Sequence, residues 1–138
     1  MIARFLAALV VVSALASGPQ EPSGLDLAGF TRSPTEHIVS TIAQPFAVRS
    51  AEGTVKRAEG DQNPLSGGLI EVRGPGGSKR IRSTKTDTKG RFTVRGLAAG
   101  TYVFKATLDG FQSVVGTIII NPHVKRARTI DLTMRAGV

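Results

Sequence analysis

The chain has 138 residues, with 18 Lys and Arg against 10 Asp and Glu, two His and no Cys. That length holds one ordinary domain and leaves no room for a large multidomain enzyme. The missing Cys excludes disulfide scaffolds, zinc fingers, thiol nucleophiles and Cys-anchored lipoproteins, and two His are too few for a His-rich metal site.

Residues 1–16 read as a secretory signal peptide. Arg4 supplies the positive start, Phe5 to Leu15 is apolar apart from Ser13, and Ala14-Leu15-Ala16 gives the small-x-small cleavage pattern. The apolar run is about 12 residues, well short of the roughly 20 that a bilayer span needs. No later stretch is apolar enough to span, so the mature chain is expected to be secreted or periplasmic. Loss of Arg4 lowers the net charge only from +8 to +7.

Residues 17–45 have the composition of a flexible linker rich in Pro, Gly and Ser. Leu25, Leu27, Ala28 and Phe30 form a small apolar cluster there, suited to docking on the domain or on a partner. Glu36 to Ala43 has the makings of a helical turn or an edge strand.

The domain is expected over residues 46–138. From Phe46 to Met134, short β-type runs alternate with turn signals every 8 to 12 residues or so. A first strand lies within Val48 to Lys56, with Val55 inward. Leu69 to Val72 follows, with Ile70 and Val72 inward. Lys79 to Thr86 is a third run; Ile81 inward would turn Arg80 and Arg82 outward together. Arg91 to Arg95 buries Phe92 and Val94. Tyr102 to Leu108 buries its even positions and exposes Lys105 and Thr107, because side chains alternate across a strand. Val114 to Ile120 is apolar throughout, as a central strand would be. Thr129 to Met134 buries Ile130, Leu132 and Met134. Gly74 to Gly77, Gly96 to Gly100, a two-residue Asp109-Gly110 hairpin turn and Asn121-Pro122 separate these strands. Seven strands and no long helix predict an all-β fold of two packed antiparallel sheets.

Several blocks together resemble the carboxypeptidase regulatory-like domain. They are Gly53-Thr54-Val55, Asn63 to Gly68, Ile70-Glu71-Val72, Thr86-Asp87-x-x-Gly90-x-Phe92, Gly96-Leu97-x-x-Gly100-x-Tyr102 and Asp109-Gly110-Phe111. The resemblance implies a seven-stranded Greek-key β-sandwich of the prealbumin-like type, near the carbohydrate-binding-like folds. It implies no catalysis and no zinc ligands. The motif residues Asp87, Gly90, Phe92, Gly100 and Tyr102 are expected to be structural. Asp87 would accept backbone N–H groups of its own turn, and Gly90 would supply the special dihedral. Phe92 and Tyr102 would pack across adjacent strands, and Gly100 would let the chain re-enter the sheet tightly.

No catalytic group, cofactor site or metal site is signalled. His37 falls in the linker and His123 in a turn, and Asp61, Asp87 and Asp109 each sit in a separate turn. Gly74 to Lys79 lacks the Gly-Lys-Ser order of a phosphate loop and precedes a strand. A lone carboxylate at Asp87 is far short of a calcium ligand set.

The basic excess is the remaining feature. Residues 46–134 hold 15 basic and seven acidic side chains. Arg80, Arg82, Arg91, Arg95 and Lys105 are the expected outward surface for an anionic ligand; the plainer reading is solvated strand charge that blunts edge pairing. Nucleic acid fits poorly, since Phe111 alone among the ring side chains looks free to stack. The expectation is an exported, non-catalytic binding or scaffolding module, a monomer, that takes polysaccharide at the cell envelope. The alternative is a protein–protein module for an envelope protein, or an accessory subunit of an envelope enzyme or transporter.

Overall fold

The computed structural model describes residues 25–74 and 81–137. The expected signal peptide, Lys79 and Arg80 therefore lie outside the described residues. Nine strands are formed: β1 (Val39–Thr41), β2 (Phe46–Val48), β3 (Ala51–Arg57), β4 (Leu69–Arg73), β5 (Ile81–Lys85), β6 (Arg91–Val94), β7 (Gly100–Thr107), β8 (Ser113–Ile120) and β9 (Ile130–Met134). The seven expected strands are β3 to β9, so the count of seven is corrected by two short additions at the start.

The larger sheet runs β1-β8-β7-β4-β5, with β2 also paired to β8; the smaller runs β6-β3-β9. The expected antiparallel sheets are in fact mixed. β1 and β2 both run parallel to β8, and β3 runs parallel to β9. The first and last long strands of the sandwich lie side by side pointing the same way. Gly53 permits their close approach, because a Cβ there would sit 1.8 Å from the Ile130 carbonyl oxygen.

Between the sheets lies one apolar cluster. Val55, Ile70, Val72, Phe92, Val94, Tyr102, Phe104, Ala106, Ile130, Leu132 and Met134 are all buried in it, as the alternation requires. Phe92 and Tyr102 do not sit on adjacent strands, however. Phe92 belongs to β6 in the smaller sheet and Tyr102 to β7 in the larger. The connection between them changes sheets, so the two rings reach the core from opposite sides.

The outer face of the larger sheet is also covered. Val115 and Ser113 on β8 and Lys105 on β7 are buried although they point away from the core. The covering element is the segment expected to be a linker. Its described part from Phe30 onward is docked, and Phe30 is buried. Val39 to Thr41 then adds an edge strand to β8. Cover on both faces explains why β8 is more uniformly apolar than the other strands.

The cover also corrects the facing of β5. Ile81 pairs with Arg73 and Arg82 with Val72. Val72 is a core residue, so Arg82 takes the inner side of an edge strand, and Ile81 lies beneath the cover, next to Gly29. The Asp109-Gly110 turn is present but is no two-residue hairpin. The Phe111 N–H donates to the Leu108 carbonyl at 3.0 Å, inside a connection that runs from Thr107 to Ser113.

Candidate functional site

The motif residues occupy local structure. Asp87 Oδ1 accepts the N–H groups of Lys89 and Arg91, each at 2.9 Å. The Arg91 N–H, with that of Lys89 and the positive side chains of both residues, holds the Asp87 carboxyl below the usual carboxylate range against its partial desolvation. Gly90 has φ 73°, and a Cβ there would lie 2.5 Å from the Val55 carbonyl oxygen. Both facts demand glycine. Gly100 opens β7. The Tyr102 hydroxyl donates to the Ala98 carbonyl at 2.6 Å and so ties down the sheet-changing connection.

The expected anionic-ligand surface does not assemble. Arg91 is exposed on the outer face of the smaller sheet, on one rung with Thr54 and Asp131. Arg82 donates to the Arg95 carbonyl at 3.1 Å, across the end of the sandwich. Lys105 is corrected outright: it is 2% exposed, not a surface group. Its Nζ lies 2.9 and 3.0 Å from the two carboxylate oxygens of Glu36. Alternation correctly sent Lys105 away from the core, but the N-terminal segment covers that face.

A buried polar layer results. The Ser113 hydroxyl donates to Glu36 at 2.5 Å. On the neighbouring strand Glu71 accepts the Thr31 N–H at 2.9 Å and the Thr31 hydroxyl at 3.0 Å. Arg73 stacks its guanidinium over Phe30, 4.7 Å from the ring centroid, and donates to the Asp26 and Ala28 carbonyls. Leu25 to Phe30 is thereby engaged by its own sandwich. The burial of Glu36 and Glu71 was not legible in the sequence. Glu36 sits in a Pro- and Ser-rich stretch without periodicity, and only the uniform apolarity of β8 signalled a second covered face.

The exposed charge gathers instead at one end. Val48 pairs with Ile120, Ala51 with Val94, and Gly100 with Ile120. These registers bring together the Arg49-Ser50 turn, the Arg95 to Ala99 connection and the Asn121 to Thr129 connection. Arg49, Arg95, Lys125, Arg126 and Arg128 stand exposed on these three loops. The Arg49 guanidinium donates to the Val124 and Lys125 carbonyls, which pins the longest loop to the shortest. Between Arg49 and Leu97 lies an open cleft of about 360 Å³. The nearby acids are engaged: Glu52 accepts the Ser50 hydroxyl at 2.7 Å, and Asp131 accepts Thr54 and Thr129. At the other end charges of both signs mix, with Glu59, Asp61, Asp87 and Asp109 among Arg57, Lys89 and Arg135.

His123 is exposed in the long loop and His37 in the covering segment, far apart in the fold. Phe111 is half-buried against the core, not free to stack. Among the described residues, no three His, Cys, Asp or Glu side chains are grouped to hold a metal ion, and no helix is long and apolar enough to cross a membrane.

Comparison with known proteins places the carboxypeptidase regulatory-like domain over residues 50–135. No curated protein matches the chain. Among solved structures, the chain is similar to a C-terminal interface mutant of a type II cohesin–X-dockerin complex from Acetivibrio cellulolyticus. The identity is 22%, the TM-score is 0.43, and the match covers 64% of this chain and 58% of that one, less than two thirds of its length.

Proposed function

The chain belongs to the carboxypeptidase regulatory-like domain family, and from that premise we propose that it is an exported, non-catalytic β-sandwich module that binds polysaccharide at the cell envelope. The observation that carries the reading is the loop end. The Arg49-Ser50 turn and the Arg95 to Ala99 connection line an open cleft, the Asn121 to Thr129 loop is pinned beside it by Arg49, and the outer face of the larger sheet is closed by the chain's own N-terminal segment. Binding residues on loops held by a rigid scaffold are a common way for such folds to work. The apolar leader and its cleavage pattern support export, and the cell envelope is the place of action we propose for the exported module.

The test is affinity electrophoresis of the purified chain through gels containing neutral or acidic glycans. Retardation by at least one glycan is expected. Unchanged mobility in every gel would remove the polysaccharide reading. A complementary check is N-terminal sequencing of the exported protein, which should begin at Ser17.

A further inference from the structure

The closed face and the open end differ in how their charges are used. On the closed face the buried Lys105 has its counter-charge within 3.0 Å. At the loop end Lys125, Arg126 and Arg128 are exposed, and the pinning of their loop by Arg49 engages only backbone carbonyls, which neutralise no charge. Arg95 adds a fifth cation beside the cleft. Two local carboxylates, Glu52 in the cleft wall and Asp131, accept neutral hydroxyl donors and keep their charge, so the five cations stand against two anions. A set of like charges on three separate loops costs self-repulsion, which an extended anion relieves and a compact one relieves only in part.

Resting on the polysaccharide reading, we propose that Arg49, Arg95, Lys125, Arg126 and Arg128 form a site for an acidic polysaccharide, a glycan carrying a carboxylate or other anionic group along its length. The spread of the charges fits a polymer that runs across the cleft. The chemistry of the loops disfavours single-stranded nucleic acid and membrane. No aromatic ring stands on these three described loops to stack a base. The exposed large apolar side chain of the described residues, Ile38, lies on the covering segment and not at this end.

The experiment compares three purified proteins: the full chain, the triple variant Lys125→Gln/Arg126→Gln/Arg128→Gln, and a control triple variant Lys85→Gln/Lys89→Gln/Arg135→Gln away from the loop end. Each is run against polygalacturonate, neutral dextran and anionic phosphatidylglycerol vesicles over a salt series. The expected result is binding to polygalacturonate that falls as salt screens the charges. The loop variant should lose at least tenfold in affinity and the control less than threefold. Equal losses in both variants would overturn the site by showing nonspecific charge attraction. Binding to dextran that the loop variant retains would overturn the site and leave the polysaccharide reading standing. Vesicle binding without glycan binding, or no binding at all, would overturn both. Thermal unfolding of each variant guards against a folding defect, since all six side chains are exposed.

Discussion

Replacing Glu36 with Gln removes the carboxylate in direct contact with Lys105 beneath the covering segment. In the native fold the Lys105 ammonium is 2% exposed and the Glu36 side chain 6% exposed, with contacts of 2.9 and 3.0 Å. Breaking a buried pair by removing one partner costs about 3–5 kcal/mol, because the remaining charge is stranded. The segment can lift and admit water to Lys105, which caps the loss, so we expect about 3 kcal/mol. Lys105→Met should cost less, about 2 kcal/mol, since a stranded carboxylate on the outer covering segment reaches water more easily than an ammonium rooted in a central strand. The double variant Glu36→Gln/Lys105→Met should return to within about 1 kcal/mol of the native protein, because apolar replacement of a whole buried pair is often neutral. Urea unfolding of the four proteins gives the cycle directly. A loss below about 0.5 kcal/mol for Glu36→Gln would refute the claim that this pair holds the cover in place.

The same pair sets an acid limit. Burial raises the Glu36 carboxyl, but the Ser113 and Lys105 hydrogen bonds, the Ser33 N–H and the Lys105 charge outweigh it, so the group titrates below its usual range. A depressed carboxylate contributes fully above its unfolded value, about 4.3. That contribution is lost as pH falls through the lower folded value. The stability gap between native protein and Glu36→Gln should therefore be constant near neutrality and shrink below about pH 4.

Three further outcomes are expected. Asp87→Ala should lower the melting temperature by freeing the Lys89 and Arg91 N–H groups, and the part of the acid sensitivity that vanishes with it should again appear only below the ordinary carboxylate range. Gly90→Ala should cost more than about 1 kcal/mol in urea unfolding, because its φ and the Val55 carbonyl both oppose a side chain. Tyr102→Phe should cost about 1 kcal/mol and should raise amide exchange across residues 96–99 while β7 itself stays protected.

What the sequence disclosed followed the reach of its periodicity. A period of two finds which side of a strand faces a core, and it placed Val55, Phe92, Phe104, Leu132 and Met134 correctly. It cannot say whether the opposite side is wet. Lys105 and Thr107 read as solvent-facing because a charged residue between apolar ones normally is. Only a contact between residues 69 positions apart, Glu36 and Lys105, reverses that. β5 failed for a related reason. With Arg82 and Lys85 around a single apolar Ile81, one buried contact decided its facing, and the cover lay on the unexpected side. The turns at Asp87 and Asn121 were legible, because these side chains bond their own neighbours, whereas the Asp109-Gly110 connection was longer than its dipeptide signal. The basic end was illegible as a cluster, since Arg49, Arg95 and Lys125 meet only through strand registers within each of the two sheets.

The two uses of charge should also separate in salt, and the path of the chain makes that separation informative. The N-terminal segment enters beside Arg73, the last residue of β4, and the β4 end abuts the same loop end that carries the basic residues. It then passes Glu71 to reach the Asp109-Gly110 turn at Thr35, places Glu36 over Lys105, and returns along β8. A polymer held at the loop end would therefore lie next to the Phe30–Arg73 stack that begins the cover. Exposed cations are screened within about 10 Å at 0.1 M salt, whereas a pair buried at 3.0 Å is screened far less. Raising salt should thus release an acidic glycan without loosening the cover, and lowering pH below about 4 should loosen the cover while the Lys and Arg at the loop end keep their charge. Amide exchange at Val39 to Thr41 reports the first state of the cover, and gel retardation reports the glycan. If salt alone freed both together, the loop end and the covering segment would be one electrostatic unit, and the division of charge drawn between the closed face and the open end would fail.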